Sequence, residues 1–88
     1  MTVTFYGRIT EYTNGEKTFT PEMEKRSSLR ELLDELYNRY GESFRAFING
    51  NETCLILLNG NGIAFSGGLD APLKQGDKVD ILPFVDAG

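Results

Sequence analysis

The sequence predicts an α+β domain in which one main helix packs across a mixed sheet of four to five strands. Three observations carry that prediction. A leucine stripe with helical spacing fills the middle of the chain, around residues 28–41. Runs of β-branched and aromatic residues open and close the chain. Pairs such as Asn14-Gly15, Asn59-Gly60 and Gly76-Asp77 punctuate the stretches between.

Thr2 to Ile9 begins with a period-two pattern that places Val3 and Phe5 on one face of a strand. Asn14-Gly15 supplies residues that tolerate positive φ, so the strand is expected to return through a tight hairpin into Lys17–Thr20. Pro21 ends that second strand or confines it to an edge. Ser28 followed by Glu31 is a capping box, with Ser27 as an alternative cap. Leu29, Leu32, Leu33, Leu36, Tyr37 and Tyr40 then form one apolar stripe, and Gly41 stands where a helix stops. A stripe of this kind is core-facing.

Phe44 to Ile48 is apolar without a clear period, and Asn49-Gly50-Asn51 reads as a turn. Thr53 to Leu58 is a continuous β-prone run, compatible with a central strand or one buried on both faces. Asn59-Gly60-Asn61-Gly62 makes a second turn, Ile63–Phe65 a short strand and Ser66-Gly67-Gly68 a loop. The glycines are not a phosphate cradle, because they lack a following helix and a Lys-Ser/Thr pair. Gln75-Gly76-Asp77 turns into a last strand, Lys78–Val85. With the first and last strands parallel and the helix across them, this order is the β-grasp topology.

Bulk properties narrow the function. A chain of 88 residues forms one domain with a thin core and little room for an internal cavity. The expected organisation is a domain over residues 1–85 and a flexible tail over 86–88. The formal charge of -4 and the scatter of basic residues argue against nucleic acid. Cys54 is the single cysteine, and the chain has no histidine, which disfavours zinc and iron–sulfur sites. Cys54 reads as a small buried hydrophobe; the alternative is an enzyme using its thiol, with no histidine to activate it. The N-terminus alternates polar and apolar residues, so neither a signal peptide nor a membrane span is expected, and the expected location is cytoplasmic.

The C-terminal third carries a resemblance. Asn59-Gly60-Asn61-Gly62-Ile63, then Gly68-Leu69-Asp70-Ala71-Pro72-Leu73-Lys74-Gln75-Gly76-Asp77-Lys78-Val79, then Ile81-Leu82-Pro83-Phe84-Val85 resembles the end of a ubiquitin-like sulfur carrier. This MoaD/ThiS-like family includes the small subunit of molybdopterin synthase and the thiamine sulfur carrier. The helix opening Ser28-Leu29-Arg30-Glu31-Leu32-Leu33 is similar to the family's helix, and the likeness spans nearly the whole chain. Two positions depart from the family pattern: Ala87 stands where the penultimate Gly is usual, and Phe84 where a second Pro is usual.

The resemblance implies a carrier that catalyses nothing itself and binds no cofactor. A partner adenylating enzyme uses ATP to activate the carboxylate of Gly88, which becomes a thiocarboxylate. A sulfur-accepting synthase then consumes it in molybdopterin, thiamine or other sulfur-metabolite biosynthesis. Asp86 and Ala87 form the tail that delivers Gly88 into the partner. Alternation along the last strand puts Val79 and Ile81 on one face, so Leu82 and Phe84 are expected on the open face as docking residues. Three alternatives stay open: a non-covalent β-grasp binding module or subunit, a ubiquitin-like protein modifier, and the Cys54 enzyme.

Overall fold

The computed structural model describes residues 1–21, 28–49, 54–65 and 67–83. Its strands are β1 (Thr2–Phe5), β2 (Thr18–Phe19), β3 (Cys54–Leu58), β4 (Asn61–Gly62) and β5 (Lys78–Pro83); its α-helices are α1 (Leu29–Tyr40) and α2 (Glu42–Ile48). The five strands form one sheet in the order β2-β1-β5-β3-β4. β1 and β5 run parallel in the centre, with Val3 opposite Val79 and Phe5 opposite Ile81. β2, β3 and β4 add antiparallel neighbours. This is the expected β-grasp.

The helix forms where the stripe predicted it. Ser28 is the N-cap, and its side chain accepts a hydrogen bond from the Glu31 N–H at 3.3 Å. Leu29, Leu32, Leu33 and Leu36 are buried, and Gly41 closes the last turn by donating to the Tyr37 carbonyl at 2.9 Å. These leucines meet Val3, Phe5, Ile56, Leu58, Val79 and Ile81 from the inner face of the sheet. That interdigitation is the core.

Phe44–Ile48, ambiguous in sequence, lies in the second helix. Phe44 and Ile48 are one helical turn apart and both buried. Seven residues are too few for a stable isolated helix, so packing holds this one. Phe44 meets Phe5 edge-on at 6.0 Å and Tyr40 at 5.3 Å. The period is hidden because only two of its residues, Phe44 and Ile48, are buried, while Phe47 packs at the core's edge.

Three other expectations are corrected. The first strand stops at Phe5, and Gly7–Tyr12 is a 3-10 helix. Gly7 at φ 61 takes the chain out of the extended region, which lets Ile9 enter the core from outside the sheet. Asn14 and Gly15 do adopt positive φ, yet they join that 3-10 helix to β2 and do not close a tight hairpin. Ile63–Phe65 is a 3-10 helix, and the strand is Asn61–Gly62, paired through a tight Asn59-Gly60 turn. Of the two arrangements open to β3, the structure takes the central one: β3 lies between β5 and β4, with Leu55 39% exposed on its outer face. Ser27, Gly50, Asn51, Thr53, Ser66 and Val85 lie outside the described residues.

Short β2 is held to α1 by side chains. The Arg39 guanidinium lies 4.8 Å from the Phe19 ring centroid and donates to Glu16 at 3.3 Å. The Tyr40 hydroxyl donates to the same carboxylate at 2.6 Å, which with Arg39 holds the Glu16 pKa below its ordinary value. No helix among the described residues is long and apolar enough to cross a membrane.

Candidate functional site

Strand β5 alternates as the sequence indicated. Val79 and Ile81 are fully buried under α1, and Asp80 and Leu82 point to the opposite face. The register then decides their neighbours. Leu82 lies opposite Leu55, and Asp80 lies between Thr4 on β1 and Leu57 on β3. Leu82 and Leu57 are half-buried, whereas Leu55 is among the more exposed large apolar residues. The open face of the sheet therefore carries a contiguous Leu55, Leu57 and Leu82 patch.

Tyr6 borders this patch. It is 40% exposed, and its hydroxyl donates to Asp80 Oδ1 at 3.1 Å. That hydrogen bond, with smaller contributions from desolvation and the Asp80 charge, raises the phenol pKa above its ordinary value. At neutral pH Tyr6 stays protonated and keeps donating. The pair thus sets a polar edge on an apolar surface, the arrangement of a protein-contact patch with a rim.

Leu82 is the sequence-predicted docking residue that the described structure contains, and it lies on the open face. Phe84, Asp86, Ala87 and Gly88 lie outside the described residues. Sequence spacing alone does not assign Leu55, Leu57 or Tyr6 to this open face. The continuous apolar run of β3 conceals which of its leucines face outward, and only pairing with β5 reveals it.

Cys54, on β3, is half-buried on the opposite, inner face of the sheet. Its Sγ donates to the Ile48 carbonyl at 3.6 Å, and desolvation raises its pKa above the ordinary thiol value. It lines an apolar groove of about 490 Å³ together with Leu33, Tyr37, Ile48 and Ile63. Desolvation likewise raises the Tyr37 phenol. Both groups are shifted away from the ionised form that a nucleophile or base requires. Among the described residues no group of three or more His, Cys, Asp or Glu side chains is placed to hold a metal ion.

The base of the tail is the end of β5. Pro83 lies opposite Cys54 on β3 and against Gly7 on the other side. A ring without an N–H ends ladder donation there. Leu82 of the patch and the root of the C-terminal segment are thus on one strand, with Leu55 and Leu57 on its neighbour β3.

Known structures share this fold. A chain in the crystal structure of the Amycolatopsis orientalis BexX/CysO complex matches with TM-score 0.79 and 27% identity, covering 99% of this chain and 98% of that one. The small archaeal modifier protein 1 of Methanosarcina acetivorans matches with TM-score 0.78 and 26% identity, covering 99% and 94%. The complex of subunits 1 and 2 of molybdopterin-converting factor from Helicobacter pylori contains a chain at TM-score 0.67 and 30% identity, covering 99% and 96%. No curated protein sequence matches the chain. The ThiS family model matches residues 3–88, from β1 through the C-terminal segment. A β-grasp sheet, a capped helix across it and a family match over this span place the chain in the ThiS family of ubiquitin-like sulfur carriers.

Proposed function

We propose that this chain is a sulfur carrier whose Gly88 carboxylate is adenylated by a partner enzyme and converted to a thiocarboxylate. One observation carries the reading furthest: the Leu55, Leu57 and Leu82 patch lies on and beside β5, the strand that runs directly into Phe84–Gly88. A partner that grips the patch has Pro83, from which the last five residues of the chain follow, beside it. The carboxylate oxygen attacks the α-phosphorus of ATP, and pyrophosphate leaves. A sulfur donor then attacks the acyl carbon, AMP leaves, and a carbon–sulfur bond replaces the carbon–oxygen bond. A sulfur-accepting synthase consumes the product; the molybdopterin-converting and CysO-type relatives favour a cofactor or metabolite acceptor.

Gly88 suits the chemistry because it has no Cβ to crowd the acyl carbon. Its carboxylate is ionised at neutral pH, with an ordinary α-carboxyl pKa of about 3.5. Incubation with the cognate adenylating enzyme, ATP and a sulfur donor should exchange one oxygen for sulfur, read by intact mass. Recovery of only unmodified chain with every cognate enzyme would overturn the reading.

Similarity to the small archaeal modifier protein favours one second reading, conjugation of Gly88 to protein lysines. It differs in its product. An isopeptide-linked species surviving thiol treatment supports it, and a free thiocarboxylate supports the carrier.

A further inference from the structure

We infer that Asp80 is the charged anchor of the open sheet face, and that the adenylating partner meets it with a cationic side chain set among apolar ones. This rests on the reading that a partner grips that face in order to activate Gly88. β5 is the central strand of the five, and Asp80 is in the middle of its outward row, between Lys78 and Leu82. Across the strands its row runs Thr18, Thr4, Asp80, Leu57, Gly62. Asp80 therefore stands at the centre of the face. Leu57 is beside it, Leu82 is next along its own strand, and Leu55 is diagonal to it.

The sheet itself gains little from a carboxylate there. Aspartate is among the residues least suited to a strand, and the half-buried face takes some of its water away. Among the described residues the ion pairs are Arg30–Asp70 and Arg39–Glu16; Asp80 is in neither, although Lys78 shares its face two residues away. Its hydrogen bond among those residues comes from the Tyr6 hydroxyl to Oδ1, at 3.1 Å. A carboxylate has about four acceptor positions, so Tyr6 orients the group and leaves Oδ2 to an incoming donor. A purely apolar surface laid over the face would strand that charge. A guanidinium or ammonium in the covering surface satisfies it, and suits a chain with a net charge of -4. A second copy of this chain brings the same net charge and another Asp80, so it fits less well. A central charge of this kind selects the partner by penalising surfaces that lack its complement.

The test uses the full-length chain and its cognate adenylating enzyme, with Kd measured without ATP and adenylation kinetics measured with it. Asp80→Asn keeps the shape and an acceptor for Tyr6 and removes the charge. It should raise Kd and KM by about tenfold or more, and should flatten their dependence on salt. Asp80→Thr should do the same while its unfolding midpoint in urea stays at or above wild type. Tyr6→Phe should raise Kd by only about threefold and keep the salt dependence, because the carboxylate remains. Asp70→Asn removes an equal charge beside Arg30 on α1, away from the face, and should change neither constant.

An unchanged Kd in Asp80→Asn, a salt dependence equal to wild type, or a lowered urea midpoint in Asp80→Thr would overturn the anchor. So would a wild-type dimer in sedimentation that Asp80→Asn dissolves, which would assign the face to a second copy. If the wild type binds with this Asp80 and salt dependence but is never adenylated, the anchor stands and the carrier reading falls. If Asp80→Asn binds and is adenylated as well as wild type, the carrier reading stands and the anchor falls. A wild type that binds no cognate adenylating enzyme overturns both.

Discussion

Leu82 and Leu55 face each other across β5 and β3 on the open side of the sheet, so on the proposed function a charge at either position is set against the partner and away from the core. Leu55→Asp is expected to raise KM for the adenylating enzyme by about tenfold or more, as loss of a central apolar contact does. Its unfolding midpoint in urea should stay close to wild type. At the tail, Ala87 adds one methyl where the family pattern has glycine. If the partner channel is fitted to glycine, the methyl costs about 1–3 kcal/mol, and Ala87→Gly should raise kcat/KM by about tenfold or more. An unchanged kcat/KM would mean that the channel has room.

Asp77 works differently. It is only 6% exposed, but it lies at shallow depth under its own turn. Its carboxylate accepts from the Asn59 amide at 3.0 Å and from the Lys74 N–H at 2.8 Å. Asn59 accepts in turn from the Lys78 N–H, so one side chain ties the β3–β4 turn to the start of β5. Desolvation opposes ionisation, yet these hydrogen bonds and nearby positive charges outweigh it and lower the pKa below the ordinary carboxylate value. A carboxyl lowered on folding contributes stability above its unfolded pKa and loses it as pH falls through the folded value. Asp77→Asn should thus cost about 1 kcal/mol at pH 7. The gap from wild type should close below about pH 4, where the unfolded carboxyl protonates. Urea unfolding at both pH values tests this.

At the scale of elements, α1 owes its start to one hydrogen bond and its place to one stripe. Ser28→Ala should cost about 1 kcal/mol, a drop of roughly 4–8 °C in Tm for a domain of this size. Both signals are local in sequence, which is why the helix was legible from Ser28 to Gly41. Helix α2 and the 3-10 helix at Gly7–Tyr12 were not, because each is held by one or two side chains inserted into a core built elsewhere. Asn14-Gly15 is the positive-φ pair its residue types predict, but it joins the 3-10 helix to β2 and closes no tight hairpin. Turn chemistry specifies the bend and says nothing of what the bend joins.

For the whole molecule, stability rests on a thin core shared between one sheet face and the helices, so individual core residues weigh heavily. Phe44 is fully buried amid Phe5, Tyr37 and Tyr40, whereas Phe65 is 90% exposed. Phe44→Ala should remove about 3–5 kcal/mol, a large part of the net stability of a small domain. Phe65→Ala should stay within about 0.5 kcal/mol. Sequence alone determined the α+β class, the capped helix, the inward Val79 and Ile81, and Leu82 facing away from them, since each follows from spacing along one segment. Only tertiary structure decided that Leu55 and Leu57 join Leu82, that Tyr6 caps Asp80, and that Gly7 meets Pro83. Those contacts join residues far apart in the chain, and strand register, which no single segment encodes, is what brings them together.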